Sequence, residues 1–116
     1  MANKKALELL KSENVDAFNK WIKERRNKGK DKLDLNDQNL GGLVLRNIDL
    51  RDARLNGSNL RKCDLKGANL KRARLRQTDL RGTNLQGADL TDADLRQATT
   101  KGANLKKADV KGAKGL

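Results

Sequence analysis

Residues 68–90 read Ala68-Asn69-Leu70-Lys71-Arg72-Ala73-Arg74-Leu75-Arg76-Gln77-Thr78-Asp79-Leu80-Arg81-Gly82-Thr83-Asn84-Leu85-Gln86-Gly87-Ala88-Asp89-Leu90. A leucine returns at every fifth residue. Working outward, Leu fills 14 of the 16 positions spaced by five between 35 and 110, the exceptions being Thr100 and Val110. Two residues before most of these centres sits a small side chain, such as Ala53, Ser58, Cys63, Ala68 or Thr83. The position between is Asp or Asn in 12 of the 16 repeats.

A period of five excludes the ordinary elements. On an α-helix, at ~100° per residue, successive leucines would diverge by ~140° and form no apolar face. On a continuous strand, side chains alternate, so leucines at odd spacing would change face at each repeat. The small residue two before each Leu does share its face. Each repeat therefore holds a two-point inward anchor, as in Ala68 and Leu70, followed by a turn, as at Lys71 and Arg72. Gly57, Gly67, Gly82, Gly87, Gly102 and Gly112 follow their centres by two, where a tight turn tolerates glycine. A chain that turns in one sense at every fifth residue coils into a solenoid.

Stretches such as Ala68-Asn69-Leu70-Lys71-Arg72 and Ala88-Asp89-Leu90-Thr91-Asp92 resemble the pentapeptide repeat family, whose consensus is roughly A-(D/N)-L-x-x. The resemblance covers about residues 33–114. It implies an all-β solenoid, a right-handed quadrilateral β-helix with four repeats per coil. Two features of the sequence agree with a 20-residue coil. Arg54 and Arg74, the only Arg residues in the Asp/Asn position, lie 20 apart, and large residues two before the centre occur only at Leu33, Gln38, Leu43 and Ile48. Sixteen repeats then make about four coils, a column ~20 Å tall at ~4.8 Å per stacked strand. The structural core is expected at Leu55, Leu60, Leu65, Leu70, Leu75, Leu80, Leu85 and Leu90, each contributing ~1.5–3 kcal/mol on burial. The Asp and Asn residues between the anchors are expected to support turns.

A stacked sheet has two open edges that invite association. Residues 1–32 are expected to form an α-helical cap on the first, preceding a β-helix over 33–116 in one structural domain. Leu7 and Leu10 form one apolar pair, and Val15, Phe18, Trp21 and Ile22 recur at helical spacing. Lys11 to Asn14 divides two helices, with Asn14 as an N-cap. Phe18, Trp21 and Ile22 are expected to meet the large residues Leu33, Leu43 and Ile48 of the first coil. Lys101, Lys106, Lys107, Lys111 and Lys114 mark the other end, where lysine discourages edge pairing. Many members of the resembled family dimerise through an apolar C-terminal end, from which Ala113-Lys114-Gly115-Leu116 departs. The oligomeric state is left open.

Composition narrows the function. The chain has 116 residues with a net charge of +12, and aromatic residues make up only 2%. Residues 33–116 carry 17 Lys and Arg against 10 Asp and Glu, a net of +7. With no His and the single Cys63, neither a nucleophile–base pair nor a common metal-ligand set is discernible. Neither an enzyme nor a cofactor nor a metal is expected, and Cys63 is read as a packing residue. The absence of an apolar leader or spanning run makes a cytoplasmic location, away from membranes, the expectation.

The outward arginines are the candidate binding ridge. With four repeats per coil, Arg54, Arg74, Arg76 and Arg96 share one face, and Arg61, Arg81 and Lys101 line the next. A solvated face interrupted by Asp79 and Asp94 is the plainer reading. The first functional reading is a non-enzymatic protein-interaction or scaffolding module whose partner is a protein, an acidic one by charge. The second is nucleic-acid binding by backbone attraction alone, since no aromatic interleaves the ridge. A third comes from the resemblance: some family members mimic duplex DNA and bind DNA gyrase. Those are strongly acidic, which a repeat region at +7 is not.

Overall fold

The computed structural model describes residues 2–30 and 32–116. Helix α1 (Lys4–Lys11) is followed by α2 (Val15–Asn27), and the repeats begin at residue 33. Each helix starts on an asparagine whose side chain satisfies an orphan N–H of the first turn. Asn3 accepts from Ala6 N and Asn14 from Ala17 N, both at 3.1 Å.

Within the column each repeat closes a four-residue turn. Ala53 N donates to Leu50 O at 3.1 Å across Arg51 and Asp52. Asp52 lies at φ 61°, the positive value that a type II turn requires at its second inner position. Glycine takes this place at Gly67 and Gly87, while Lys62 and Arg72 hold it at φ 56° and 58°. Such non-glycine residues cost about 1 kcal/mol or more each, a strain that the ladder bonds on either side impose.

Parallel bridges join residues 20 apart, from Asp34–Arg54 to Asp94–Lys114. Four repeats therefore make one coil. Leu35 N donates to Arg54 O at 2.7 Å, and Arg54 N returns a bond to Leu33 O at 2.9 Å. We number the faces in chain order by their first-coil leucines: face 1 (Leu35), face 2 (Leu40), face 3 (Leu45) and face 4 (Leu50). In a four-sided column, faces 1 and 3 lie back to back.

The interior is filled by the leucines and the small residues. All eight expected core leucines are buried, at 0–1% exposure. Polar members of the small set are satisfied inside: Ser58 Oγ donates to Leu35 O at 2.7 Å and Thr83 Oγ1 to Leu60 O at 2.6 Å. This removes the penalty of burying an unpaired hydroxyl.

The helices close the first coil chemically as well as by packing. Phe18 and Ile22 are buried in the same hydrophobic cluster as Leu33 and Ile48, with Trp21 and Leu43 at its margin. The coil's upward-facing backbone groups are taken up by cap residues. Asn3 N donates to Asp34 O at 3.1 Å, and Glu13 Oε2 accepts from Val44 N. Asn19 accepts from Asp49 N at 2.8 Å and donates to Asn47 O at 3.1 Å. Arg26 pairs with Asp49 and donates to Arg51 O. At the far end Leu105 is half-buried and Val110 is 43% exposed. No helix among the described residues is long and apolar enough to cross a membrane.

Candidate functional site

The outward surface begins with the Asp/Asn position. Its side chain accepts from the backbone N–H two residues on, as in Asn59 to Arg61 at 2.9 Å and Asp89 to Thr91 at 2.9 Å. These carboxylates and amides hold turns, as expected, and their recurrence is not a row of catalytic acids. Among the described residues no group of His, Cys, Asp and Glu is placed to hold a metal ion.

Arg54, Arg74, Arg76 and Arg96 do fall together on face 1 and its following corner. Arg54 stacks directly on Arg74. Asp94 sits on the next coil in the same column and neutralises the ridge: Arg96 meets it at 2.7 Å and Arg76 at 4.0 Å. The Arg96 hydrogen bond, with Arg76 nearby, draws the Asp94 carboxyl down to about 2. Asp52 similarly binds Arg72 at 2.7 Å on the edge of this face. A shallow groove of about 340 Å³ runs among Arg72, Arg74, Arg76, Asp92, Asp94 and Arg96. Face 1 thus carries arginines interspersed with the carboxylates of Asp52 and Asp94 rather than a purely basic ridge.

The second group, Arg61, Arg81 and Lys101, lines the corner between faces 2 and 3, joined by Lys62. Asp79 on face 2 meets Arg81 at 2.6 Å and Arg61 at 3.8 Å. Its carboxyl is brought down to about 2, chiefly by the Arg81 hydrogen bond. The corner after face 3 carries another column, Arg46, Lys66, Lys106 and Lys107. Between the two columns face 3 presents outward Val44, Asp64, Asn84 and Asn104. Eight cations thus flank a face whose own carboxylate is Asp64, and Asp79 reaches two of them, Arg61 and Arg81, which leaves a net of +6. Asp64 pairs with Arg46 at 2.5 Å. Among the described residues Lys62, Lys66, Lys101, Lys106 and Lys107 form no ion pair. Arg46, Lys66 and Lys107 line an open groove of about 440 Å³ with Gly67, Gln86 and Gly87. A Cβ on Gly67 would come within 2.4 Å of Asn47 Oδ1, so a larger residue there would have to displace the Asn47 side chain.

Sequence reading missed this second column because it tracked arginines rather than all cations. Summing charge in the 20-residue register would have found it. Cys63 is buried, with its thiol directed at Leu40 O at 2.8 Å. Burial pushes its pKa up to about 11, which removes the thiolate needed for reactivity. Trp21 is half-buried, with Phe18 at 5.7 Å and the Arg25 guanidinium over its ring at 5.0 Å. Its face is taken by a side chain of its own helix.

The family model for pentapeptide repeats matches residues 33–67, 58–97 and 83–114. Among solved structures, the chain is similar to the pentapeptide repeat protein Rfr23 from the cyanobacterium Cyanothece 51142, with 31% identity over 73% of this chain and 53% of that one, at a TM-score of 0.50. A pentapeptide repeat protein from the Arabidopsis thaliana thylakoid lumen shares 28% identity over 71% of this chain and 63% of its own, also at 0.50. The chain therefore spans little more than half the length of the first and under two thirds of the second. The shared architecture is the right-handed quadrilateral β-helix expected from the repeat. No curated protein matches the sequence.

Proposed function

The chain belongs to the pentapeptide repeat family, and from that premise we propose that it is a non-enzymatic interaction module, a scaffold that holds a protein partner against face 1. The observation that carries this reading is the ordered lattice of Arg72, Arg74, Arg76 and Arg96 with Asp52, Asp92 and Asp94. Arginine is enriched in protein interfaces, and preorganised side chains lose less entropy on binding. Alternating charge also favours a partner with the complementary pattern over a uniformly acidic one. The packed interior leaves the side faces as the surfaces for recognition, as in other solenoids. The acidic DNA-mimic role known in the family finds no support in a repeat region of net +7.

The test is affinity capture from native extract with nuclease present, using wild type and Arg74→Glu/Arg96→Glu. A discrete protein recovered by wild type and lost from the variant supports the scaffold. Identical recovery by both proteins overturns it.

A further inference from the structure

Face 3 is a second surface of different chemistry. Most of the positive excess of the repeat region gathers there, while faces 1 and 4 carry their cations beside carboxylates such as Asp94 and Asp89. The concentration is built by register. Arg61, Arg81 and Lys101 stand 20 residues apart at one turn position, as do Arg46 and Lys66 at the other, so these neighbours lie one coil rise apart, about 4.8 Å. The Asp/Asn position between the columns is Val44, Asp64, Asn84 and Asn104, three of them uncharged. Stacked like charges destabilise a sheet. Asp79 and Asp64 offset only Arg61, Arg81 and Arg46, and the lysines beside them favour an anion from outside.

We propose that face 3 binds the phosphate backbone of duplex nucleic acid. The surface lacks what a protein interface needs at its centre, an apolar or aromatic anchor in a dry pocket. Val44 is its one exposed large hydrophobic residue. It is instead basic, polar and flat, the character of surfaces that contact phosphates. An anionic membrane would also be attracted, but face 3 offers no aromatic or leucine to enter the headgroup region. The vertical extent suits a regular polyanion, because a column of four coils, roughly 15–20 Å, faces about ten duplex charges at one per ~1.7 Å. The five lysines free of ion pairs are the groups ready to replace counterions. The side-chain amides of Asn84 and Asn104 add neutral donors without reading bases. Because face 3 lies opposite face 1, this surface leaves the protein-binding lattice unoccupied, and each can fail without the other.

The test is fluorescence anisotropy with a labelled 24-base-pair duplex of arbitrary sequence, in 50–200 mM salt. The wild type is expected to bind with a salt slope of roughly −4 to −5, from about five phosphate contacts at −0.9 each. Lys62→Gln/Lys66→Gln/Lys101→Gln/Lys107→Gln should lower affinity at 100 mM salt at least about tenfold and bring the slope near −1. The face 1 variant Arg54→Gln/Arg74→Gln/Arg76→Gln/Arg96→Gln removes equal charge and should change affinity less than about threefold. Circular dichroism of each variant checks that the column is intact. Equal losses in both variants would mean that net charge alone drives binding and overturn the assignment. So would no binding at 50 mM salt, or tighter binding to polyglutamate or phosphatidylserine vesicles than to the duplex.

Discussion

Asn56 Oδ1 accepts a hydrogen bond from the backbone N–H of Arg76, 20 residues on, at 2.9 Å. Elsewhere that N–H is taken by the Asp or Asn two residues before it, but here that position is Arg74, which has no acceptor. Asn36 does the same for Asn56 N, above Arg54. The arginines of face 1 were thus accommodated by moving the turn's acceptor up one coil.

This exchange can be tested directly. Asn56→Ala should destabilise the column by about 0.5–1.5 kcal/mol in chemical denaturation, the net worth of one such bond. Adding Arg74→Asp supplies the local acceptor and should recover most of that loss. If the pair of substitutions is merely additive, the two acceptors are not interchangeable.

Leu65 sits fully buried in the face 3 ladder. Leu65→Ala should cost about 2–5 kcal/mol, and Leu65→Lys should unfold the domain by placing an unpaired charge among leucines. The measurement is circular dichroism on heating. A β-rich spectrum and melting temperature unchanged in Leu65→Lys would reject the inward assignment.

Asn19 makes two of the bonds that seal the first coil. Asn19→Ala should lower stability by about 1–3 kcal/mol, since it leaves Asp49 N and Asn47 O without their partner. Deleting residues 1–28 exposes the whole edge and should produce concentration-dependent association in sedimentation velocity. A truncated chain that stays monomeric and as stable as the full one would contradict the capping role.

Asp79 and Asp94 have folded-state values of about 2, below the ~3.9 of an unfolded chain. The unfolded state therefore binds protons first as pH falls. The stability these pairs contribute is present above about pH 4 and is lost between pH 4 and 2. Both pairs lie at the surface, where solvent screens them, so their contribution should be small. Asp79→Asn/Asp94→Asn keeps the turn acceptors, and denaturation midpoints from pH 7 to 2 should fall less steeply than in wild type.

Cys63, with its thiol pushed up to about 11, should resist a disulfide reagent at pH 8 until the chain unfolds. Labelling of the native protein should be at least about a hundredfold slower than in denaturant, given the scarcity of thiolate and of access. Rapid stoichiometric labelling of native protein would show the inward slot to be open.

The period of five was enough to read the column, because each repeat decides locally which two side chains face inward and where the chain turns. Leu55 to Leu90 needed no partner in sequence to be recognised as core. The asparagine cap at Asn14 was legible for the same reason: its bond closes within three residues. The cap's fit to the column was only half legible. Hydrophobic spacing indicated Phe18 and Ile22, but nothing local marks Asn19 or Glu13 as the groups that finish the edges of residues 44–49.

Charge is where sequence and structure part. The sequence by itself determined how many cations the repeats carry and that Arg54 stands above Arg74. Asp79 and Asp94 were legible as interruptions of the ridge; only the folded column decided that they would also reach Arg61 and Arg76 across a coil, and that, among the described residues, Lys62, Lys66, Lys101, Lys106 and Lys107 would flank face 3 without an ion pair. The physical reason is range. Inward packing, and pairs such as Asp79–Arg81 and Asp94–Arg96, follow from neighbours two residues apart, whereas Arg61–Asp79 and Arg76–Asp94 depend on where side chains 18 residues apart come to rest across a coil.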